Sequence, residues 1–337
     1  MLIIALLTAF LISLCVQPLM INLVAPRLLI DHPTERSLHS VSTPRGGGVA
    51  VVLGVVVALA VVVDASWPAL TAIGLFALLG LIDDLVGLSA LGRLACQLIL
   101  GILCGLLLAA EFGITEAAIG VLIGAWIVFF VNAFNFMDGI NGISALQTIA
   151  IGLVLCVAGA VVAAPSVSGW ALALVGAALG FLPFNFRRAR IFLGDVGSYG
   201  LGSAIALLLV YAVHSGVPAW VAGSVISIYT LDVTFTVLRR VRSKQSLLTP
   251  HRLHIYQQLV TSGWSHVSVS CLVASLSTII AICSLVGWRS DSTLVDFFVA
   301  LAAGALLMAY IAAPGLARSS GSSKGPSRRI EVFRESG

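Results

Sequence analysis

The chain predicts an all-α integral membrane protein, a polytopic bundle of about eleven transmembrane helices, and three observations carry that prediction. Of 337 residues, 59% are hydrophobic and 9% charged, with a mean hydropathy of +1.10; soluble domains carry roughly 25% charged residues. The apolar residues gather into runs of the roughly 17–25 residues that a spanning helix needs. Lys and Arg fall almost wholly in alternate loops between those runs, the pattern that orients helices across a bilayer.

In chain order the spans lie near 2–24, 48–63, 69–82, 92–110, 119–136, 145–164, 170–184, 199–213, 219–238, 267–286 and 295–313. The first starts at Leu2 with no basic segment ahead of it, which suggests a retained span in place of a cleaved signal. The third is short and stops at Asp83-Asp84. The stretch after Pro314 is rich in Ser and Gly, so a transmembrane domain over 1–314 and a disordered cytoplasmic tail over 315–337 are expected. Cys15, Cys96, Cys104, Cys156, Cys271 and Cys283 all lie inside apolar runs without a CxxC pair, which argues against a disulfide framework or a zinc site. One set of loops holds Arg27, Arg36, Arg45, Arg93, Arg187, Arg188, Arg190, Arg239, Arg240, Arg242, Lys244 and Arg252, and the alternate set only Arg289. That asymmetry puts the first set and the C-terminus in the cytoplasm and the N-terminus outside, and the net charge of +4 reflects orientation, with no nucleic acid as partner.

The polar clusters fall on the Arg-rich side, at 31–48, 83–93, 132–144, 185–198 and 239–266, whereas Asp64, Glu111, Glu116, His214 and Asp291 are scattered over the other. Within the most organised cluster, Asn132, Asn135, Asp138 and Asn141 recur at intervals of three, expected to share one region of a helix or helical turn, with Gly139 and Gly142 allowing close approach. A polar helix end that caps itself would look similar. Asp31-His32 opens the first loop, and Pro44-Arg45-Gly46-Gly47-Gly48 ends it, a turn able to bring amides and a guanidinium to a phosphate, or simply a turn. Adjacent Asp83 and Asp84 repel unless a cation or an Arg lies between them; the plainer reading is a solvated helix end. Asp195, between Gly194 and Gly197, suits a hard-metal oxygen ligand on a tight turn with amides nearby. His251, Arg252, His254, Tyr256 and Gln257 form a stretch able to hold a diphosphate or a nucleotide. Asp232, inside the ninth span, is either a site residue or the partner of an Arg on a neighbouring helix.

Four of these motifs in order, Pro44-Arg45-Gly46-Gly47-Gly48, Asp83-Asp84, Asn135-Phe136-Met137-Asp138-Gly139-Ile140-Asn141-Gly142 and Gly194-Asp195-Val196-Gly197-Ser198, resemble those of the polyprenyl-phosphate N-acetylhexosamine-1-phosphate transferases, glycosyltransferase family 4. That superfamily includes the phospho-MurNAc-pentapeptide translocase. The resemblance spans roughly Asp31 to Gln257. It implies a multi-pass protein of the bacterial inner membrane whose active site faces the cytoplasm. It implies attack by undecaprenyl phosphate on the β-phosphate of a UDP-N-acetylhexosamine, with Mg²⁺ or Mn²⁺ in its place, releasing UMP. A second copy of the chain is a candidate partner. By the same resemblance Asp195 is the metal ligand, and Asp83, Asp84 and Asp138 are the catalytic acids. Arg45, Asn135, Asn141, Phe192, Gly194, His251, Arg252, His254 and Gln257 contact substrate, with Phe192 a face for uracil. Asn141 stands where many members carry a second aspartate, and His251-Arg252-Leu253-His254 replaces consecutive histidines. Both departures resemble the O-antigen-initiating subgroup more than the peptidoglycan enzyme.

A phosphate monoester with a second pKa near 6 is mostly dianionic at neutral pH, so direct attack needs little help from a base. A phospho-aspartate route stays open at this point. A secondary transporter would carry its polar residues near mid-span. A Mg²⁺-dependent prenyltransferase would share the aspartates but has no use for the Gly194–Ser198 turn.

Overall fold

The computed structural model describes residues 1–24, 29–31, 42–246, 253–290 and 292–321. Apolar runs of spanning length form α1 (Leu2–Leu19), α3 (Trp67–Val86), α4 (Ala90–Glu111), α5 (Ala117–Met137), α6 (Ile143–Val161), α7 (Pro165–Asn185), α8 (Gly194–His214), α12 (His266–Arg289) and α13 (Thr293–Gly321). These nine are, among the described residues, long and apolar enough to cross a membrane. α2 (Gly48–Ala58) is shorter and, like α1, runs on into a π turn, at Leu59–Val63 and Met20–Val24 respectively. The ninth expected span is broken into α9 (Ala219–Ser224) and α10 (Ser227–Arg242). The break frees the Val225 carbonyl, and Gln147 Nε2 of α6 donates to it at 2.7 Å, which satisfies a backbone group that lipid cannot. A short helix, α11 (Ile255–Thr261), precedes α12, and a two-residue antiparallel ribbon pairs β1 (Ile30–Asp31) with β2 (Thr43–Pro44). The chain is an all-α, multi-pass membrane protein.

Helix packing follows small residues, as it must where lipid gives no hydrophobic drive between helices. α4 and α5 meet through Gly101, Gly105, Gly120 and Gly124, so closely that a Cβ on Gly105 would lie 2.2 Å from the Gly120 carbonyl oxygen. α8 is the axis, buried from Val196 to Leu209 and packed against α3, α5 and α2. α13 presents Leu294, Phe297, Phe298, Leu301, Met308 and Leu316 outward, a lipid-facing surface. It continues through Pro314 to Gly321, beyond the 314/315 boundary that composition suggested, because a Ser/Gly-rich segment can extend a helix already nucleated by the apolar run before it. Residues 322–337 lie outside the described residues, as do His251 and Arg252.

Candidate active site

The ends of α3, α5 and α7 and the starts of α2, α6 and α8 meet at one end of the bundle, around a cleft of about 270 Å³. Its walls include Arg45, Asp84, Asn135, Asp138, Asn141, Phe192, Gly194, Asp195 and Gln257. Nine residues named from the sequence are thus brought together.

The Gly-rich turn does something other than offer its amides. Gly47 N–H donates to the Phe192 carbonyl at 2.9 Å and Gly48 N–H to the Leu193 carbonyl at 2.8 Å, while Phe192 N–H donates back to Pro44 at 2.8 Å. A Cβ on Gly48 would meet the Gly197 backbone at 2.1 Å, so glycine here lets two loops touch. The amides of Gly47 and Gly48 are spent on protein, and the Arg45 guanidinium is what the turn presents to the cleft. Gln17 Nε2 of α1 secures the turn from below, donating to the Gly47 carbonyl at 2.8 Å.

The two adjacent aspartates diverge. Asp83, 5% exposed, turns away from the cleft: Oδ2 accepts from Arg93 Nη1 at 3.0 Å and Tyr199 OH at 2.9 Å, and Oδ1 from Leu88 N–H at 2.9 Å. Successive residues on a helix point about 100° apart, so one of the pair must leave the wall. Asp84, 4% exposed, lines it. Its Oδ2 accepts from Val196 N–H at 2.9 Å; its Oδ1 has no hydrogen bond, with Arg45 Nη1 3.5 Å away as an ion pair. Arg45 Nη2 instead donates to the Asp84 carbonyl at 2.7 Å.

Asp195 sits in the first turn of α8, whose N-terminal amides favour a negative charge. Gly194 before it takes φ +76°, and a Cβ there would lie 2.8 Å from Asp84 Oδ2, so the left-handed turn and the close carboxylate both require glycine. Asn135 Nδ2 donates to Asp195 Oδ1 at 2.8 Å and to Ser198 Oγ at 2.9 Å. The other oxygen of Asp195 has no donor among the described residues.

α5 ends at Met137, and the ladder of four splits there. An interval of three rotates each side chain by about 60° on a helix of 3.6 residues per turn. Asn132 accordingly faces α4, donating to Gln97 Oε1 at 2.7 Å, and is no part of the cleft, whereas Asn135, Asp138 and Asn141 line it. Asp138 accepts from Ser144 Oγ at 2.5 Å. Burial pushes its carboxyl up to about 7; the Ser144 hydroxyl opposes this and the Asp84 charge adds to it. Asn141 is anchored by its backbone, the N–H donating to His266 Nδ1 at 3.4 Å and the carbonyl accepting from Ser270 Oγ at 2.9 Å, which leaves its carboxamide on the wall. Gly139 and Gly142 are approached by protein, by the Tyr256 hydroxyl and the Phe186 ring.

His254 is not brought to the cleft. It is buried with Nδ1 3.0 Å from Asp232 Oδ1; among the described residues Asp232 has no arginine partner, and it is not on the cleft wall. Arg93 and Tyr199, which hold Asp83, and Asn185 and His266, which line the wall, were not singled out from the sequence. Arg93 had a signal, an arginine opening the span after an acidic pair; Tyr199 follows the Gly-Asp turn by one helical turn and looks like core.

A cation would find hard oxygen donors here, the Asp84 Oδ1, which has the Arg45 ion pair but no hydrogen bond, and the uncommitted oxygen of Asp195. Among the described residues no group of three acidic, His or Cys side chains already forms a metal cluster. Mg²⁺ fits such a site, being bound through one or two carboxylates with waters and substrate phosphates completing the shell.

A model of glycosyl transferase family 4 matches residues 66–213, which hold Asp83, Asp84, Asn135, Asp138 and Asp195. The chain is 31% identical over 322 residues to the probable undecaprenyl-phosphate N-acetylglucosaminyl 1-phosphate transferase of Bacillus subtilis, covering 88% of this chain and 86% of that protein. It belongs to glycosyl transferase family 4. Within that family it is also similar to the decaprenyl-phosphate N-acetylglucosaminephosphotransferase of Mycolicibacterium smegmatis, at 32% identity over 70% of each chain. Similarity extends to the phospho-N-acetylmuramoyl-pentapeptide-transferase of Moorella thermoacetica, at 29% identity over 74% of this chain and 85% of that one. The glycosyl transferase family 4 match begins at Ser66 and ends at Val213, so the Arg45 turn and α11 complete the cleft from outside it.

Proposed function

We propose that this cleft transfers an N-acetylhexosamine-1-phosphate from a UDP-sugar to a polyprenyl phosphate, undecaprenyl phosphate in a bacterial inner membrane, with Mg²⁺ as cofactor. The observation that carries the reading is the convergence of Asp84, Asp138 and Asp195 with Arg45 at the ends of spanning helices, where a lipid phosphate and a water-soluble donor can meet. The names of the relatives supply the substrate class. In the reaction an oxygen of the lipid phosphate bonds to the β-phosphorus, the bond from that phosphorus to the bridging oxygen breaks, and UMP leaves.

Asp195 and Asp84 would hold the metal, which supplies charge neutralisation at the diphosphate. Arg45 adds a guanidinium on the same side. Asn135, by its bond to Asp195, fixes the carboxylate's orientation. Phe192, half-buried at the rim, offers its ring to uracil, and Asn141, Gln257 and His266 face the remaining volume, where the sugar lies. Asp83 acts at one remove: clamped by Arg93 and Tyr199, it sets the end of α3 and with it Asp84. Because the lipid phosphate is already largely dianionic, direct attack through alignment suffices. The cleft opens to the cytoplasm by the distribution of Lys and Arg.

The test is UMP release by the purified protein in detergent with a panel of UDP-sugars. UMP should appear only when a UDP-N-acetylhexosamine, polyprenyl phosphate and Mg²⁺ are all present. No release with any UDP-sugar would refute the reading.

A further inference from the structure

The buried acid of the broken ninth span has no place in the chemistry above, yet it is among the most heavily hydrogen-bonded carboxylates described. Asp232 on α10 is 0% exposed. Oδ1 accepts from Ile255 N–H at 3.0 Å and lies 3.0 Å from His254 Nδ1, with Thr236 Oγ1 at 3.4 Å; Oδ2 accepts from Tyr256 N–H at 3.1 Å and Tyr310 OH at 2.8 Å. Two backbone amides at the start of α11 and a hydroxyl from α13 thus share one carboxylate. What α11 carries is part of the cleft. Gln257 lines the wall, and its Oε1 accepts from His254 N–H at 3.3 Å. Tyr256 OH donates to the Phe136 carbonyl at 2.9 Å, at the end of α5 between Asn135 and Asp138, and presses on Gly139 so closely that no Cβ fits there.

From this chain of contacts we infer that Asp232 is a positioning residue for the transfer, tying α10, α11 and α13 together so that Gln257 and the end of α5 are held at the donor. The inference rests on the transferase reading. Alternative explanations fail on geometry: the carboxylate cannot touch substrate, since both oxygens are occupied by protein and the residue does not line the cleft. It also makes the last helix part of the site, since Tyr310 reaches the same oxygen as Tyr256 and Arg318 Nη2 donates to Gln258 Oε1 at 3.0 Å.

The experiment compares full-length wild type with Asp232→Asn, Tyr310→Phe, Gln257→Ala and the double variant Asp232→Asn/Gln257→Ala in the UMP-release assay. Asparagine keeps the shape but cannot accept on its amide nitrogen. Misplacing α11 should raise KM for the UDP-sugar about tenfold, with KM for polyprenyl phosphate within about twofold of wild type. Tyr310→Phe, which folds with one hydroxyl fewer and lies outside the cleft, should shift the donor KM the same way by about two- to threefold. If Asp232 acts through Gln257, the double variant should be no worse in donor KM than the worse single one. A fall in kcat alone with both KM values unchanged, or full additivity in the double, would reduce Asp232 to general stability and overturn the inference. Wild type that releases no UMP would remove the transferase reading itself and the positioning role with it.

Discussion

The bundle has a polar cluster at each end, and the two are built from similar parts. At the end opposite the cleft, Glu111 of α4 accepts from Ser66 Oγ on Oε2 and from Tyr211 OH on Oε1, both at 2.8 Å, and the two hydroxyls approach to 2.7 Å. Phe112 lies beside it, stacked on His214 with centroids 4.0 Å apart and edge-on to Tyr211. Each carboxylate oxygen has a donor, so the cluster pins the ends of α3, α4 and α8 and has little left to bind. At the cleft end the carboxylates outnumber their donors. Asp84 Oδ1 is buried without a hydrogen bond, and one oxygen of Asp195 faces the cleft with no donor among the described residues. Polar residues at a membrane surface are therefore not a site by themselves. Valence left over, and like charges held together against repulsion, distinguish a binding site from a clasp.

The same contrast exists within two consecutive residues. Asp83 is closed by Arg93, Tyr199 and Leu88, as Glu111 is closed by its hydroxyls, whereas Asp84 is open. Substitutions sharpen or break this division, and their expected effects run from large to small. Asp195→Asn should cut UMP release by about 10³-fold, since it removes the hard anionic ligand proposed for the metal, and excess Mn²⁺ should restore part of the loss. Asp83→Asn should lose about 10²-fold and also lower the thermal midpoint in detergent, because Arg93 is left with its buried partner gone. Raising the pH from 6 to 8 should not rescue it beyond the wild-type trend; a steep rescue would make Asp83 the base. Asn141→Asp should keep activity within about tenfold of wild type, for its backbone contacts stay and only the carboxamide changes. An equal loss to that of Asp138→Asn would show that the carboxamide makes its own donor contact.

A smaller effect concerns the proton on Asp138. Its carboxyl titrates at about 7 in the folded protein, well above the ordinary carboxylate range. The folded state thus keeps a proton that the unfolded chain has already lost. Stability tied to this group is full below the ordinary carboxylate range and is lost as the pH rises through about 7. In EDTA, wild type should lose thermal midpoint between pH 6 and 8, and Asp138→Asn, which has no proton to lose, should lose less. Parallel curves would show that Asp138 is ionised throughout. Smallest of all, Glu111→Gln should leave UMP release within about twofold of wild type, since its cluster is only a clasp.

The spans, the grouping of the motifs at one end and most of the cleft wall were legible in the sequence, because hydropathy and the placement of Arg report directly on the bilayer. Side-chain direction was not. That Asp83 faces protein and Asp84 faces the cleft depends on the rotation of α3 against α8, and neighbouring letters carry no trace of it. The Gly46-Gly47-Gly48 run was visible as a need for close approach, yet what approaches is the backbone of 192–197, a partner nearly 150 residues away. Asn132 shared a spacing with Asn135 but points to Gln97. His254 looked like a substrate ligand until Asp232 claimed it, a pairing across 22 residues that only the fold of α10 onto α11 creates. In each case the residue type was informative and its partner was set by tertiary packing.

The proposed function requires that the open carboxylate valence at one end of the bundle bind a divalent cation while the Glu111 cluster at the other does not. Electron paramagnetic resonance of Mn²⁺ with the purified protein in detergent measures this without turnover. Wild type should bind Mn²⁺ at a saturable site that Mg²⁺ displaces; Glu111→Gln should bind it equally well, and Asp195→Asn should bind it far more weakly. Retention of the site in Asp195→Asn, or its loss in Glu111→Gln, would contradict the account.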